Sequence, residues 1–224
     1  MSPLARRIPR ELRGHLGKYL GIFLLMTGAI ALVSGFLLAA NSISVIISTM
    51  REDYNIEDAR FTCDFKASEE ALAAAREAAD AAGGATIEPL YSVDASLDSV
   101  NGGKPQREAT VRSYAHRTSF DIAAYAQGRA PQGPDEVAVD RVFAEHNGIE
   151  VGGTVTLSGR ELAVVGIMTL PDQQALFENN SDFTLNALSF GVAELSDAGF
   201  DALCEAVEPT YTYAVLFSNR SLGV

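Results

Sequence analysis

The first pattern along the chain is an uninterrupted apolar one: from Tyr19 through Met50 there is no Asp, Glu, Lys or Arg. At about 1.5 Å of rise per residue, a helix of that length exceeds the roughly 30 Å hydrocarbon core of a bilayer. The run predicts one transmembrane helix over 19–50, its surplus continuing as a stalk. It is too long for the apolar region of a signal peptide, about 7–15 residues, and Leu38-Ala39-Ala40 is a poor cleavage site. Upstream, Leu4, Ile8, Leu12, Leu16 and Tyr19 fall at helical spacing between arginines. That spacing predicts a short amphipathic segment over 1–18, with Pro9 as a kink or break.

After residue 50 the period changes. Phe61, Cys63 and Phe65 alternate with Thr62 and Asp64, the repeat of a half-buried strand. Ser68 followed by Glu69 and Glu70 predicts an N-cap and first turn, the alanine-rich stretch to Ala82 a helix, and Gly83-Gly84 its stop. Two strands are predicted over 86–97 and 108–115, joined across Asn101-Gly102-Gly103 as a hairpin. Gly128-Arg129-Ala130-Pro131 and Gly133-Pro134 read as a loop leading into a strand over 136–139 and a brief helix over 141–146, ended by Asn147-Gly148. Strands over 151–157 and 161–168 flank a tight Ser158-Gly159-Arg160 turn, and a further strand is expected over 188–192. Ser196 caps a helix running to Val207, and 212–217 form the last strand.

The predicted fold class is α+β: one N-terminal transmembrane helix, then a mixed α/β domain over 51–224 carrying a small inserted β-rich subdomain at about 128–182.

Charge orients this arrangement. Arg6, Arg7, Arg10, Arg13 and Lys18 precede the apolar run against the single acid Glu11, so of 17 bases and 29 acids only 12 and 28 remain, a net charge of −16 on residues 51–224. The positive-inside rule then puts the N-terminus in the cytoplasm and everything after about residue 50 outside, in the plasma membrane of a cell. So acidic a surface repels phosphate backbones, which excludes nucleic acid as a partner of the outer part.

Within the apolar run, Gly14, Gly21, Gly28 and Gly35 recur every seven residues, with Gly17, Ala31 and Ala39 three or four positions away. Small residues along one side let a second helix approach closely in lipid, so this stripe is the candidate helix-packing face.

Chemistry is sparse. No GxxxxGK[ST] phosphate loop occurs, and Gly102-Gly103-Lys104-Pro105 has neither its spacing nor its Ser/Thr, so the chain is not expected to bind ATP. There is no GxSxG; His15 falls on the cytoplasmic side, and His116 and His146 read as surface residues. Asp135 and Glu136 read as solvated surface acids. No catalytic, cofactor-binding or metal-ligating residue is assigned, and the chain is not read as an enzyme. Cys63 and Cys204 are too few for a disulfide scaffold. Both lie on the expected buried side of their elements, so one disulfide between them is permitted outside the cell, against the commoner case of two buried free thiols.

Two sets of residues carry a resemblance. Arg10-Glu11-Leu12 and Tyr19-Leu20-Gly21-Ile22-Phe23-Leu24-Leu25 open a glycine-spaced helix, and later come Gly133-Pro134-Asp135-Glu136-Val137-Ala138-Val139, Asn147-Gly148-Ile149-Glu150-Val151-Gly152-Gly153-Thr154-Val155-Thr156-Leu157 and Val164-Val165-Gly166-Ile167. In this order they resemble MacB/FtsX-type ABC transporter permeases: the first membrane helix followed by the MacB-like periplasmic core domain. The resemblance implies an outer domain set between a first and second membrane helix, and pairing with a second permease subunit as a homo- or heterodimer. ATP would bind a separate cytoplasmic ABC ATPase subunit that drives the motion. It also implies a longer protein, with three further membrane helices after Val224, lipid around residues 19–45, and an extracytoplasmic partner protein. An FtsX-like regulator, activating a cell-wall hydrolase by contact, is the alternative within the same architecture.

Overall fold

The computed structural model describes residues 15–81, 83–173 and 186–218. Most of the 1–18 segment and part of the expected 128–182 subdomain lie outside these residues. The chain divides into two units, up to Thr49 and from Met50 onward.

The first unit is one helix, α1 (Leu16–Asp53), whose last turn belongs to the second unit. Its apolar side chains from Leu16 to Ile46 stand exposed, Leu25 at 74% and Phe36 at 73% among them. By length and composition it is long and apolar enough to cross a membrane.

The second unit is built on two sheets. The smaller holds β1 (Ala59–Cys63), β10 (Tyr211–Phe217) and β2 (Ala85–Pro89), antiparallel with β10 in the middle. The helix α2 (Glu69–Ala81) covers one face, with Leu72 packed against Ile87 and Tyr213. It starts where Ser68 Oγ accepts from the Ala71 amide at 3.2 Å, and it stops at Gly83 and Gly84, both at positive φ. The opposite face of the sheet, through Ala214 and Leu216, joins the main core.

The larger sheet holds β3 (Ser92–Val100), β4 (Thr110–Ala115), β5 (Ala124–Gly128), β6 (Glu136–Asp140), β7 (Thr154–Leu157), β8 (Arg160–Thr169) and β9 (Phe190–Leu195). β7 pairs with both β3 and β8, so β8-β6-β9-β4-β3-β7 closes into a six-stranded barrel; β5 lies on the second half of β8. Closure leaves the barrel strands no free edge, which removes a template for unwanted pairing. Val137, Val155, Leu157, Leu162, Val164, Phe190 and Val192, all nearly inaccessible, belong to the core. Two short helices pack against the barrel, α3 (Arg141–Asn147) and α4 (Asp197–Cys204).

Both expected tight turns form. Asn101 and Gly102 have φ of 51° and 73°, with Val100 and Gly103 exchanging backbone hydrogen bonds at 2.9 Å; Ser158 and Gly159 have φ of 46° and 82°. These are paired positive-φ turns of the kind that suits strand twist.

Two expectations need correction. The stretch 86–97 is not one strand: β2 ends at Pro89, which has no N–H to continue a ladder, and β3 begins at Ser92 in the other sheet. The β-rich subdomain is not confined to about 128–182 either, because β6, β7 and β8 share their sheet with β3, β4 and β9, so the barrel takes in residues from Ser92 to Leu195. The topology is a barrel inserted between the second and last strands of a small α/β layer.

Candidate functional site

The stretch following α1 is tied into the barrel by charged groups that lie far apart in sequence. Asp121, at φ 45°, donates its amide to Asn55 O at 3.2 Å, and the Ile122 amide reaches Tyr54 O at 3.0 Å. In return the Glu57 amide donates to Asp121 Oδ1 at 3.0 Å. Arg51 pairs with Asp58 across the same turn.

Around this junction sits an ion cluster. Arg60 pairs with Glu57 and reaches Asp172 Oδ2 at 3.0 Å. Arg117 lies 3.3 Å from Asp121 Oδ2 and 3.2 Å from Asp172 Oδ1, its guanidinium 4.7 Å from the Tyr114 ring centre. Carboxylate oxygens of Glu57, Asp121 and Asp172 lie within 4.8 Å of one another. Burial pushes the Glu57 carboxyl up to about 7, against the pull of Arg60 and with the push of Asp121 and Asp172. Burial followed by the Asp172 charge lifts Asp121 to about 6. Geometrically this set joins the start of the second unit to the segments after β4 and β8, as a clamp between chain segments.

Beside it, Glu194 is an acid inside a strand otherwise wholly buried. It accepts from the Arg117 amide at 2.9 Å and from the Tyr125 hydroxyl. His116 Nδ1 lies 3.1 Å from Glu194 Oε1, so His116 is half-buried at this cluster rather than a free surface residue. Burial and the Glu194 charge push the Tyr125 phenol up, keeping it protonated and donating.

The remaining expected residues fall as follows. Gly14 lies outside the described residues. At Gly21, Gly28 and Gly35 a Cβ would meet nothing within 4 Å among the described residues. Cys63 and Cys204 are both free thiols: Cys63 packs beside Leu72 and Tyr213 under α2, Cys204 against the barrel core, and the fold does not bond them. His146 is exposed, and Asp135 and Glu136 carry Arg160 and Arg129 as partners. Sequence reasoning missed the whole ion cluster. One signal was readable: Glu194, a lone acid between apolar residues of a strand.

The three later stretches quoted above converge. Residues 133–139 supply the turn and strand β6, residues 147–157 the left-handed cap Gly148 of α3 and strand β7, and 164–167 the middle of β8. β6 runs parallel and β7 antiparallel to β8, and Gly152 and Gly153 exchange hydrogen bonds with Val164 at 2.8 and 2.9 Å.

No family model matches this chain, and no curated protein matches it. Solved structures do. The chain is similar to the periplasmic region of MacB from Actinobacillus actinomycetemcomitans, at 14% identity over 61% of this chain and 58% of that one, with a TM-score of 0.38. It is similar to the extracellular domain of a noncanonic ABC-type transporter, YknZ, from Gram-positive bacteria, at 12% identity over 73% and 86% of the two chains, TM-score 0.41. A domain of a putative permease protein from Porphyromonas gingivalis gives 15% identity over 60% and 61%, TM-score 0.37. This chain therefore spans less than two thirds of the first and third of these.

Proposed function

We propose that this chain is the N-terminal part of an ABC transporter permease subunit, in which α1 crosses the plasma membrane from a cytoplasmic N-terminus and the barrel-bearing domain lies outside. The observation that carries the reading is the convergence of 133–139, 147–157 and 164–167 as neighbouring strands of one barrel, in a chain that enters this domain directly from a membrane-length helix. In this reading the chain has no catalytic role and binds no nucleotide; a cytoplasmic ABC ATPase supplies the work. The stripe of Gly14, Gly21, Gly28 and Gly35 packs against another membrane helix, of a second permease subunit or of its own bundle. The outer domain relays the ATPase-driven motion to a substrate or a partner protein.

Topology is the direct test. In a Cys63→Ser, Cys204→Ser background, single cysteines replace Ser2 and the exposed Asp98, and intact cells are treated with a membrane-impermeant maleimide. Labelling at 98 alone, with 2 reacting only after permeabilisation, is expected. Labelling at 2 in intact cells, or a mature chain beginning beyond Ala40, overturns the reading. Co-purification of the full chain with a cytoplasmic ABC ATPase tests the partner; recovery of a cell-wall hydrolase instead points to the regulator alternative.

A further inference from the structure

We infer that Glu57, Asp121 and Asp172, clasped by Arg60 and Arg117, form a proton-operated latch that holds the segment following α1 against the barrel. The inference does not depend on the permease reading, and it concerns groups of the second unit alone.

The first argument is charge balance in a dry place. Side-chain exposure is 7% for Glu57, 0% for Asp121, 2% for Asp172 and 5% for Arg117; only Arg60, at 36%, reaches solvent. Three carboxylates against two guanidinium groups leave one negative charge uncompensated, and an uncompensated buried charge is costly enough that the group takes up a proton instead.

The second argument is hydrogen-bond satisfaction. Glu57 Oε2 is buried and no donor reaches it. Asp121 Oδ2 is likewise without a hydrogen bond, because the Arg117 nitrogen 3.3 Å away is out of line. As ionised oxygens these are orphaned acceptors. One proton relieves this: it removes a charge from three carboxylates whose oxygens lie within 4.8 Å of one another, and a neutral carboxyl is less costly to bury without a donor than an ionised one.

The groups facing the cluster from other elements do not supply the missing charge. Tyr114 of β4, pushed up to about 12 chiefly by burial, stays neutral under the Arg117 guanidinium. Glu194 of β9 engages the Arg117 main chain and Tyr125, with His116 beside it, and Arg51 is paired to Asp58. Glu57 and Asp121 sit above their ordinary values of 4.5 and 3.8, at about 7 and about 6. A carboxyl raised in the folded state binds its proton more tightly folded than unfolded. Its stabilising contribution is therefore complete at low pH and is lost as pH rises through about 6 to 7.

What the latch holds is specific. The amides of Glu57, Asp121 and Ile122 donate to Asp121 Oδ1, Asn55 O and Tyr54 O, the three bonds that tie residues 54–57 to 121–122. Loss of the proton leaves like charges facing each other across those bonds.

The test is hydrogen exchange at these three amides in the full chain in detergent micelles, at about pH 5 and about pH 8, with rates corrected for intrinsic exchange. Protection in the wild type is expected to fall about tenfold or more at the higher pH, the effect of one pKa unit. Glu57→Gln, neutral at both values and nearly the same shape, is expected to abolish that dependence. Asp172→Asn, which removes one of the facing charges, serves as the second variant and should weaken the dependence. Equal protection at both pH values in the wild type, or an unchanged dependence in Glu57→Gln, overturns the inference. So does a gain in protection at about pH 8 on adding calcium that EDTA reverses, since the cluster would then be a cation site.

Discussion

Phe143 of α3 lies directly on the bare Cα of Gly191 in β9: a Cβ built at 191 would stand 2.3 Å from the ring Cγ. The ring is fully buried, so it has nowhere to move. Gly191→Ala forces either the ring or the strand aside and should destabilise the barrel-bearing domain by about 1 to 3 kcal/mol, the usual penalty of overpacking. Thermal unfolding of the full chain checks this, and Phe143→Leu combined with Gly191→Ala should recover part of the loss.

The same helix depends on its cap. Asp140 Oδ1 accepts from the Val142 and Phe143 amides at 2.8 and 3.0 Å, and its carboxyl is raised by burial against those bonds. Asp140→Ala orphans both amides and is expected to cost about 1 to 2 kcal/mol, whereas Asp140→Asn should cost clearly less. Denaturant midpoints of the two variants decide it.

Tyr125→Phe removes the hydroxyl that Glu194 accepts from, deep in β9. The carboxylate keeps the Arg117 amide but loses a donor it cannot replace with water, so a loss of about 1 to 3 kcal/mol is expected. The double variant Tyr125→Phe, Glu194→Gln should fall short of the sum of the singles, since the two act on one interaction.

The glycine stripe predicts a split between folding and assembly. Gly28→Ala meets nothing among the described residues and improves helix propensity by about 1 kcal/mol, so helix content and domain stability should hold. Gly28→Ile should leave unfolding of the barrel-bearing domain unchanged yet disrupt association with another membrane helix, read as loss of cross-linking in vesicles. Unaltered cross-linking in Gly28→Ile rules the stripe out as a packing face.

Local features were readable because local chemistry sets them. The turns at Asn101-Gly102 and Ser158-Gly159, the Ser68 and Ser196 caps and the Gly148 stop all involve residue types that local chemistry favours there: glycine and asparagine tolerate positive φ, and a serine hydroxyl accepts from a free amide. Strand β5 was hidden: Gly128 reads as loop punctuation, yet its φ of 73° is what lets that chain pass within contact of the Val165 carbonyl. The passage of 86–97 from one sheet to the other leaves no mark in a period of two, since both halves alternate.

From the sequence alone came the membrane-length helix, the charge asymmetry about it, the α+β class and most element types, because hydrophobic period and capping chemistry act over a few residues. Tertiary structure decided which strands share a sheet, that six of them close on themselves, and that Glu57, Arg60, Arg117, Asp121 and Asp172 meet. Those five residues span more than a hundred positions. Nothing in their spacing foretells the meeting, since only strand pairing and burial bring them within Coulomb range, where losing water changes what each charge costs.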